Sequence, residues 1–245
     1  MSTNEAMAGV RNDIQEQSAP MTSAERILAG SRDLWAGFHA HPFVRGIADG
    51  SLDRKKFEYF MIQDYLYLYE YAKVFSVGAA KAQKTDIMHA LAAYVPAILS
   101  GEMDIHRNYM KRLGINPDTA IQTPMALDNL SYTSYMLKIA YECGPAEVCA
   151  AILPCAVSYE VVARKMVEAD PECVNHPFYG EWIQGYAAQG YHDGNLELIE
   201  LTNRAAENYN EEQIANLVKI GRYCSMYEGR FWEMSWQAGE ADAVL

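Results

Sequence analysis

The sequence lacks the features of a membrane protein and of a nucleic-acid-binding protein. No apolar run approaches the roughly 20 uncharged residues that a helix needs to span a bilayer. Basic residues are scarce: 20 Lys and Arg stand against 32 Asp and Glu, which gives a formal net charge of −12. A nucleic-acid-binding protein should carry a basic face. We therefore expect no membrane and no nucleic acid among the partners, and an acidic protein that handles a neutral or cationic small molecule.

Cysteine is also sparse, and its spacing argues against structural bridges. The five cysteines are Cys143, Cys149, Cys155, Cys173 and Cys224, an odd number without any CxxC pair. Zinc sites and disulfide frameworks normally show paired cysteines. The sequence therefore predicts no metal site and a reducing, cytoplasmic setting.

Glycine and proline are few as well, with 16 and 9 residues, while half of the chain is apolar. This composition is typical of a compact, helix-rich protein with a sizeable core. Residues 1–20 contain charges but no apolar segment, so they predict a loosely ordered extension and no secretory signal. Residues 21–245 contain no repeat and no low-complexity linker, and we expect them to form one domain.

Helical periodicity dominates this domain, and no alternating strand pattern is present. Boundaries follow from start and stop signals, among them a capping box at Thr22 and the Gly-Pro pair at 144–145. The predicted helices cover roughly residues 22–40, 53–82, 85–113 with a bend at Pro96, 123–143, 145–169, 176–189, 196–208 and 211–237. The stretch 190–194 is predicted to be a loop. The fold class is therefore all-α.

One cysteine lies in an unusual setting. Cys155 directly follows Pro154 inside the apolar helix predicted over 145–169. A proline in a helix interior removes a hydrogen bond and kinks the helix. Such a kink can present the thiol to a cavity, with Tyr159 one turn further on the same face. A packed, inert cysteine is the alternative that this pattern alone leaves open.

Two carboxylates fall on otherwise apolar helix faces. Asp64 shares a face with aromatic residues, and Glu228 lies in the apolar run of the last helix. A buried carboxylate needs a partner or a polar cavity, and its raised pKa suits it to proton transfer near neutrality. Each carboxylate also has a purely structural alternative. Asp64 could lie at a solvent-facing edge of its helix, and Glu228 could pair with Arg230 or another cation. Tyr132 and Tyr186 supply hydroxyl groups that on periodicity alone are ordinary core tyrosines.

Together these segments resemble the TenA family (thiaminase II), in its cysteine-bearing subgroup. The resemblance runs from about Met21 to Gln237. Its landmarks, in the family's order and spacing, are His41-Pro42-Phe43, Gln63-Asp64-Tyr65, Leu153-Pro154-Cys155 with Tyr159, Trp182 to Tyr186, and Glu228 to Met234. The resemblance implies a haem-oxygenase-like helical bundle, usually a homotetramer, that needs no cofactor.

The activity that the resemblance implies is hydrolysis of 4-amino-5-aminomethyl-2-methylpyrimidine, and of thiamin, in thiamin salvage. Cys155 then matches the nucleophile that adds to C6 of the pyrimidine, and Glu228 the acid/base at the ring nitrogen. Asp64 matches the carboxylate that binds the 4-amino group. The aromatic and hydroxyl groups around the ring are matched by Tyr67, Tyr159, Tyr186 and Tyr132. Two departures, Val157 where relatives often have Trp and the extension 1–20, leave the preferred substrate open.

Two other functions are considered. A haem or di-iron oxygenase would use His39, His41 or the Glu102–His106 segment, but Glu102 and His106 are four residues apart and no second such motif is present. A non-catalytic pyrimidine-binding or regulatory protein would not need the Cys155 thiol. Loss of function on removing that thiol separates this last possibility from an enzyme.

Overall fold

The computed structural model describes residues 20–238, and within this range all regular structure is helical. The predicted extension 1–20 thus lies outside the described residues, apart from Pro20. In chain order the α-helices are α1 (Ser23–Ala29), α2 (Arg32–Phe38), α3 (Pro42–Ala48), α4 (Arg54–Lys81), α5 (Thr85–Pro96), α6 (Met103–Leu113), α7 (Pro117–Ala120), α8 (Leu127–Glu142), α9 (Pro145–Ala169), α10 (Gly180–Ala187), α11 (Gln189–Ala205) and α12 (Glu211–Trp236). A π-helical turn (Ala97–Glu102) joins α5 to α6, and a 3₁₀ turn (Pro171–Asn175) follows α9.

The three longest helices, α4, α9 and α12, begin and end within one residue of their predicted bounds. The Asp53 side chain accepts a hydrogen bond from the Lys55 amide at 2.8 Å at the start of α4. The helix α9 begins at Pro145, and the carboxylate of Glu147 accepts from the amide of Gly144 at 3.0 Å. These caps satisfy amide groups that have no partner within the helix.

Several predicted boundaries are wrong because short-range geometry or tertiary packing decides them. The helix predicted over 22–40 is two helices separated at Gly30 and Ser31, and α8 begins at Leu127 rather than near residue 123. The helix predicted from residue 176 begins at Gly180, because the His176 ring accepts from two backbone amides and holds a turn there.

The predicted loop at 190–194 is helical. It forms the first turns of α11, although glycine in a helix costs about 1 kcal/mol relative to alanine. Side chains further along α11 are buried, and Asn195 donates to the Glu160 carboxylate of α9 at 2.7 Å. We attribute the helix to this tertiary packing, which outweighs the glycine propensity.

The helices α4, α9 and α12 form the centre of the bundle, with α9 against α8, α10, α11 and α12. A close approach at Gly221 brings α12 onto its neighbours. A Cβ atom there would lie 2.5 Å from Cγ2 of Ile27 and 3.4 Å from the carbonyl of Ala150. Only glycine therefore fits this crossing without displacing other atoms.

Among residues 20–238 one helix, α9, is long and apolar enough to cross a membrane by length and composition. Within its most apolar window, 78% of the residues are buried inside the fold. Such burial is what the core helix of a helical bundle requires, and it accounts for the apolar composition of α9.

The bend predicted at Pro96 is a change of helix type. Proline cannot donate to the helical ladder, and the next turn, residues 97–102, is π-helical. Such turns widen a helix locally and are frequent at functional sites. Here the turn ends at Glu102, which lines the cavity described next.

Candidate active site

A cavity of about 220 Å³ lies between α4, α9, the π-helical turn and α11. Its wall is mainly aromatic and contains Tyr67, Tyr71, Phe75, Tyr94, Tyr159, Tyr186 and Tyr191. Three ionisable groups also line it, Asp64, Glu102 and Cys155. A small aromatic cavity with few polar groups suits a flat ring that makes specific hydrogen bonds.

The structure brings most of the predicted site residues together in this wall. Asp64, Tyr67, Cys155, Tyr159 and Tyr186 all line the cavity. The two remaining predicted residues, Tyr132 and Glu228, are buried behind it, within the group of interacting side chains around Cys155.

Cys155 faces the cavity and is partly accessible, whereas the seven residues before it, 148–154, are buried. Pro154 lies inside α9, as the sequence predicts. Burial, followed by the charge of Glu228, raises the pKa of the Cys155 thiol well above its usual value, although the nearby Tyr67 hydroxyl acts in the opposite direction. The resting group is therefore a neutral thiol, and a base must take its proton before it can attack.

Glu228 is placed to be that base. Its Oε1 accepts a hydrogen bond from the Tyr132 hydroxyl at 2.7 Å, and Glu228 and the Cys155 thiol are near enough to shift each other's pKa. Burial raises the pKa of Glu228 to about 7, with the Tyr132 hydrogen bond acting in the opposite direction. The suggested pairing with Arg230 is wrong, because that side chain binds Asp128 at the surface.

Asp64 is buried and is hydrogen-bonded to a histidine. Its Oδ2 lies 2.6 Å from Nε2 of His106, whose Nδ1 lies 3.0 Å from the Glu102 carbonyl oxygen. Burial opposes a charge on His106, but the bond to Asp64 outweighs it and raises the histidine pKa. The solvent-facing alternative for Asp64 is therefore excluded, and His106 orients the carboxylate in the cavity wall.

Glu102 is a further ionisable group of the wall, and the sequence analysis considered it only as a metal ligand. Burial raises its pKa to about 7, and the charge of His106 and the Tyr186 hydroxyl act in the opposite direction. The sequence signal was the pair Glu102 and His106, two polar residues one helical turn apart beside buried Met103. Their partners on α4 and α10 could not be read from that spacing.

Two tyrosines that the sequence analysis did not select hold the wall on either side of the thiol. Tyr71 donates to the carbonyl of Ile152, and Tyr191 donates to the carbonyl of Ala156, both at 3.1 Å. These bonds fix α9 on both sides of Cys155. The stacking of Tyr67 on Tyr71, with ring centroids 5.2 Å apart, continues the aromatic wall.

The histidines that suggested an oxygenase lie elsewhere or have other partners. His41 caps α3 and binds Glu233 at the surface, and His106 binds Asp64. Among residues 20–238 no three His, Cys, Asp or Glu side chains are grouped so that they could hold a metal ion. The donor geometry thus offers no di-iron site in this part of the chain.

The fold and cavity define a class of protein, the helical bundles that enclose a small-molecule site lined by a thiol and carboxylates. The particular family follows from comparison with known sequences. The chain belongs to the TENA/THI-4/PQQC family, whose model matches residues 28–238.

The relatives agree in fold. The chain is 38% identical over 216 residues, 88% of this chain and 96% of the relative, to a protein of Halalkalibacterium halodurans named aminopyrimidine aminohydrolase. The structure of a TenA homologue from P. horikoshii OT3 superposes with a TM-score of 0.81, at 25% identity over 89% of this chain and 100% of that one. A Shewanella denitrificans domain described as having a heme oxygenase-like fold gives a TM-score of 0.69 at 10% identity, covering 89% and 92% of the two chains. The predicted haem-oxygenase-like bundle is confirmed.

Proposed function

We propose that this protein hydrolyses 4-amino-5-aminomethyl-2-methylpyrimidine to the 5-hydroxymethyl compound and ammonia, and cleaves thiamin to the same pyrimidine, through covalent addition of Cys155. The observation that carries the mechanism is that the Cys155 thiol lines an aromatic cavity near the buried Glu228 carboxylate, whose charge acts on the thiol. The relative from Halalkalibacterium halodurans, named aminopyrimidine aminohydrolase, supports the reaction class. No cofactor takes part in the proposed reaction.

The first step forms a bond between sulfur and C6 of the pyrimidine. The thiol proton passes to Glu228, and the ring electron pair released by the addition moves to the ring nitrogen next to C6. Glu228 then gives the proton to that nitrogen. A carboxyl group with a pKa of about 7 can perform both transfers near neutral pH. The adduct retains a double bond between C4 and C5 and is no longer aromatic.

Departure of the amine uses the electrons of the 4-amino group. They move through the C4–C5 bond, and the bond from the 5-methylene carbon to nitrogen breaks with its electron pair on nitrogen. Positive charge develops on the 4-amino nitrogen, where the Asp64 carboxylate stabilises it. The pair with His106 keeps Asp64 oriented for this contact.

Hydrolysis is completed by water. Water adds to the exocyclic methylene carbon, its proton is lost, and the C4–C5 double bond forms again. Glu228 takes the proton from the ring nitrogen, the sulfur leaves C6, and the thiol regains its proton. Division of one difficult displacement into two addition–elimination steps is the usual benefit of covalent catalysis.

The test compares ammonia release from the aminomethylpyrimidine by wild type and Cys155→Ala. We expect a loss of at least about 10³-fold in turnover, because no other group in the wall can form the adduct, while pyrimidine binding is retained. Cys149→Ala is the matched control, since Cys149 lies on the same helix, is buried and does not line the cavity. Near-normal turnover by Cys155→Ala would refute the covalent mechanism and favour a binding role or direct hydrolysis.

We also propose a cytoplasmic homotetramer. Support for assembly comes from large apolar side chains exposed on α8 and α12, namely Leu127, Leu130, Tyr141, Tyr223 and Met226. Exposed apolar surface of this kind is frequent at subunit contacts. Light scattering on the purified protein measures the mass, and a monomer would overturn the proposal.

A further inference from the structure

A second cavity of about 340 Å³ adjoins the first, and we call it the vestibule. It lies between α6, α10 and the start of α11, and its rim contains the exposed residues Ile105, Glu181 and Gly185. It therefore opens to solvent. The boundary with the catalytic cavity consists of four residues that line both, Glu102, Tyr186, Gly190 and Tyr191.

Glu102 is the ionisable carboxylate at this boundary. The other carboxylates nearby are already paired, Asp64 with His106 and Glu181 with Arg112. The charge of His106, whose ring is already bonded to Asp64, and the neutral hydroxyl of Tyr186 both favour the ionised form of Glu102, and no Lys or Arg side chain within residues 20–238 forms an ion pair with it. An ionised carboxylate removed from bulk water favours a cationic partner.

The orientation of the substrate, which rests on the proposed function, places its leaving group next to Glu102. Asp64 marks the edge of the ring with the 4-amino group, and Cys155 marks C6. The 5-methylene carbon lies between these two edges. Glu102 lines the same cavity as Asp64 and Cys155, and His106, which binds the Asp64 carboxylate, bonds through its other ring nitrogen to the backbone carbonyl of Glu102.

Glu102 is also close to the thiol edge. After burial and the charge of Glu228, the charge of Glu102 is among the causes that raise the pKa of Cys155. Glu102 is thus near both groups that flank the 5-substituent. The opposite position on the ring carries a methyl group, which offers nothing for a carboxylate to bind.

We propose that Glu102 binds the protonated amine on the 5-methylene carbon and thereby makes the site selective for amine-bearing pyrimidines. An ammonium group donates charged hydrogen bonds to a carboxylate, and these are about twice as strong as neutral ones. The amine leaves with the electron pair of the broken bond, as a neutral molecule that no longer pairs strongly with Glu102. The vestibule then provides its path to solvent.

The experiment measures equilibrium binding in a Cys155→Ala background, in which the substrate is not consumed. Two ligands are compared, the 5-aminomethyl pyrimidine, which is cationic, and the 5-hydroxymethyl pyrimidine, which is neutral and otherwise alike. Adding Glu102→Gln should reduce the preference for the cationic ligand by about ten- to a hundredfold, the usual value of a charged hydrogen bond. The glutamine carbonyl can still accept from Tyr186, so the wall should keep its shape.

Glu181→Gln is the matched control, because Glu181 lines the vestibule but is exposed and paired with Arg112. We expect that it leaves the preference unchanged. Binding of the neutral ligand serves as an internal measure of structural damage, since a merely structural role of Glu102 would weaken both ligands equally.

The outcomes separate this inference from the proposed function. An unchanged preference in Glu102→Gln, or an equal loss of both ligands, overturns the role of Glu102 whatever the wild-type activity. A reduced preference together with no ammonia release by the wild type supports Glu102 and refutes the hydrolase. Failure of both ligands to bind the Cys155→Ala protein refutes both proposals.

Discussion

Replacement of Tyr132 by phenylalanine should move the pH dependence of catalysis. The Tyr132 hydroxyl donates to Oε1 of Glu228 at 2.7 Å, and both side chains are buried, with 1% and 2% of their surface exposed. This bond stabilises the ionised carboxylate and therefore lowers its pKa. Glu228 must be ionised in the free enzyme to take the thiol proton. We expect kcat/KM to rise with pH through the Glu228 pKa of about 7.

The size of the shift follows from the strength of the lost bond. A hydrogen bond to a charged group contributes about 1.5–3 kcal/mol, and one pKa unit corresponds to about 1.4 kcal/mol. Loss of the hydroxyl removes stabilisation from the ionised form only. The rising limb of kcat/KM should therefore move to higher pH by about one to two units.

The assay is kcat/KM for the aminomethylpyrimidine between pH 5 and 10, for wild type, Tyr132→Phe and Tyr227→Phe. Tyr227 is the matched control, because its ring stacks on Tyr132 at 5.1 Å while its hydroxyl contacts Ser131 instead of Glu228. We expect the rising limb of kcat/KM in Tyr227→Phe to stay at the wild-type pH. Glu228 would be refuted as the base if the rising limb of kcat/KM in Tyr132→Phe stays at the wild-type pH or moves to lower pH. That result would leave Glu102, whose pKa is also about 7, as the group that titrates.

Two further predictions concern binding and stability. Asp64→Asn should raise KM by about ten- to a hundredfold and lower kcat. The reason is that the substitution removes the charge that binds the 4-amino group and breaks the ion pair with His106. Unchanged steady-state kinetics would show that Asp64 does not belong to the site. Gly221→Ala should lower the free energy of unfolding by about 1–2 kcal/mol, since its Cβ would overlap a buried neighbour. The control is Gly185→Ala, because a Cβ atom there would meet no atom within 4 Å. This substitution should raise the free energy of unfolding by about 0.5–1 kcal/mol. Equal effects of Gly221→Ala and Gly185→Ala in urea unfolding would contradict the close approach at Gly221.

The helices that the sequence locates best are long and strongly signalled. For α4 and α9, an acidic cap or a Gly-Pro pair starts the helix and a buried apolar face sustains it, so the local signal and the packing agree. The wrongly predicted helix boundaries lie where the local signal and the tertiary packing disagree. The start of α11 is helical because Asn195 and its neighbours are buried, against the propensity of the glycines at its first turns.

The site shows the same division. The types of its residues and the faces they share were evident from spacing, and Asp64, Cys155 and Tyr159 all line the cavity as expected. Their partners were not evident. His106 was considered only as a metal ligand, and Glu228 was predicted as the acid/base without its Tyr132 partner, because spacing within one helix says nothing about the helix opposite.

The sequence by itself therefore determined the helical class, the long core helices, and the proline-containing helix that carries a thiol next to an aromatic face. These follow from periodicity, capping and proline chemistry, which act within a few residues of the chain. The tertiary structure alone decided that Tyr132 bonds to Glu228, that His106 holds Asp64, and that Glu102 lies between two cavities. The physical reason is that each of these contacts joins residues on different helices, and only the packing of the helices sets the distances at which a proton can be shared.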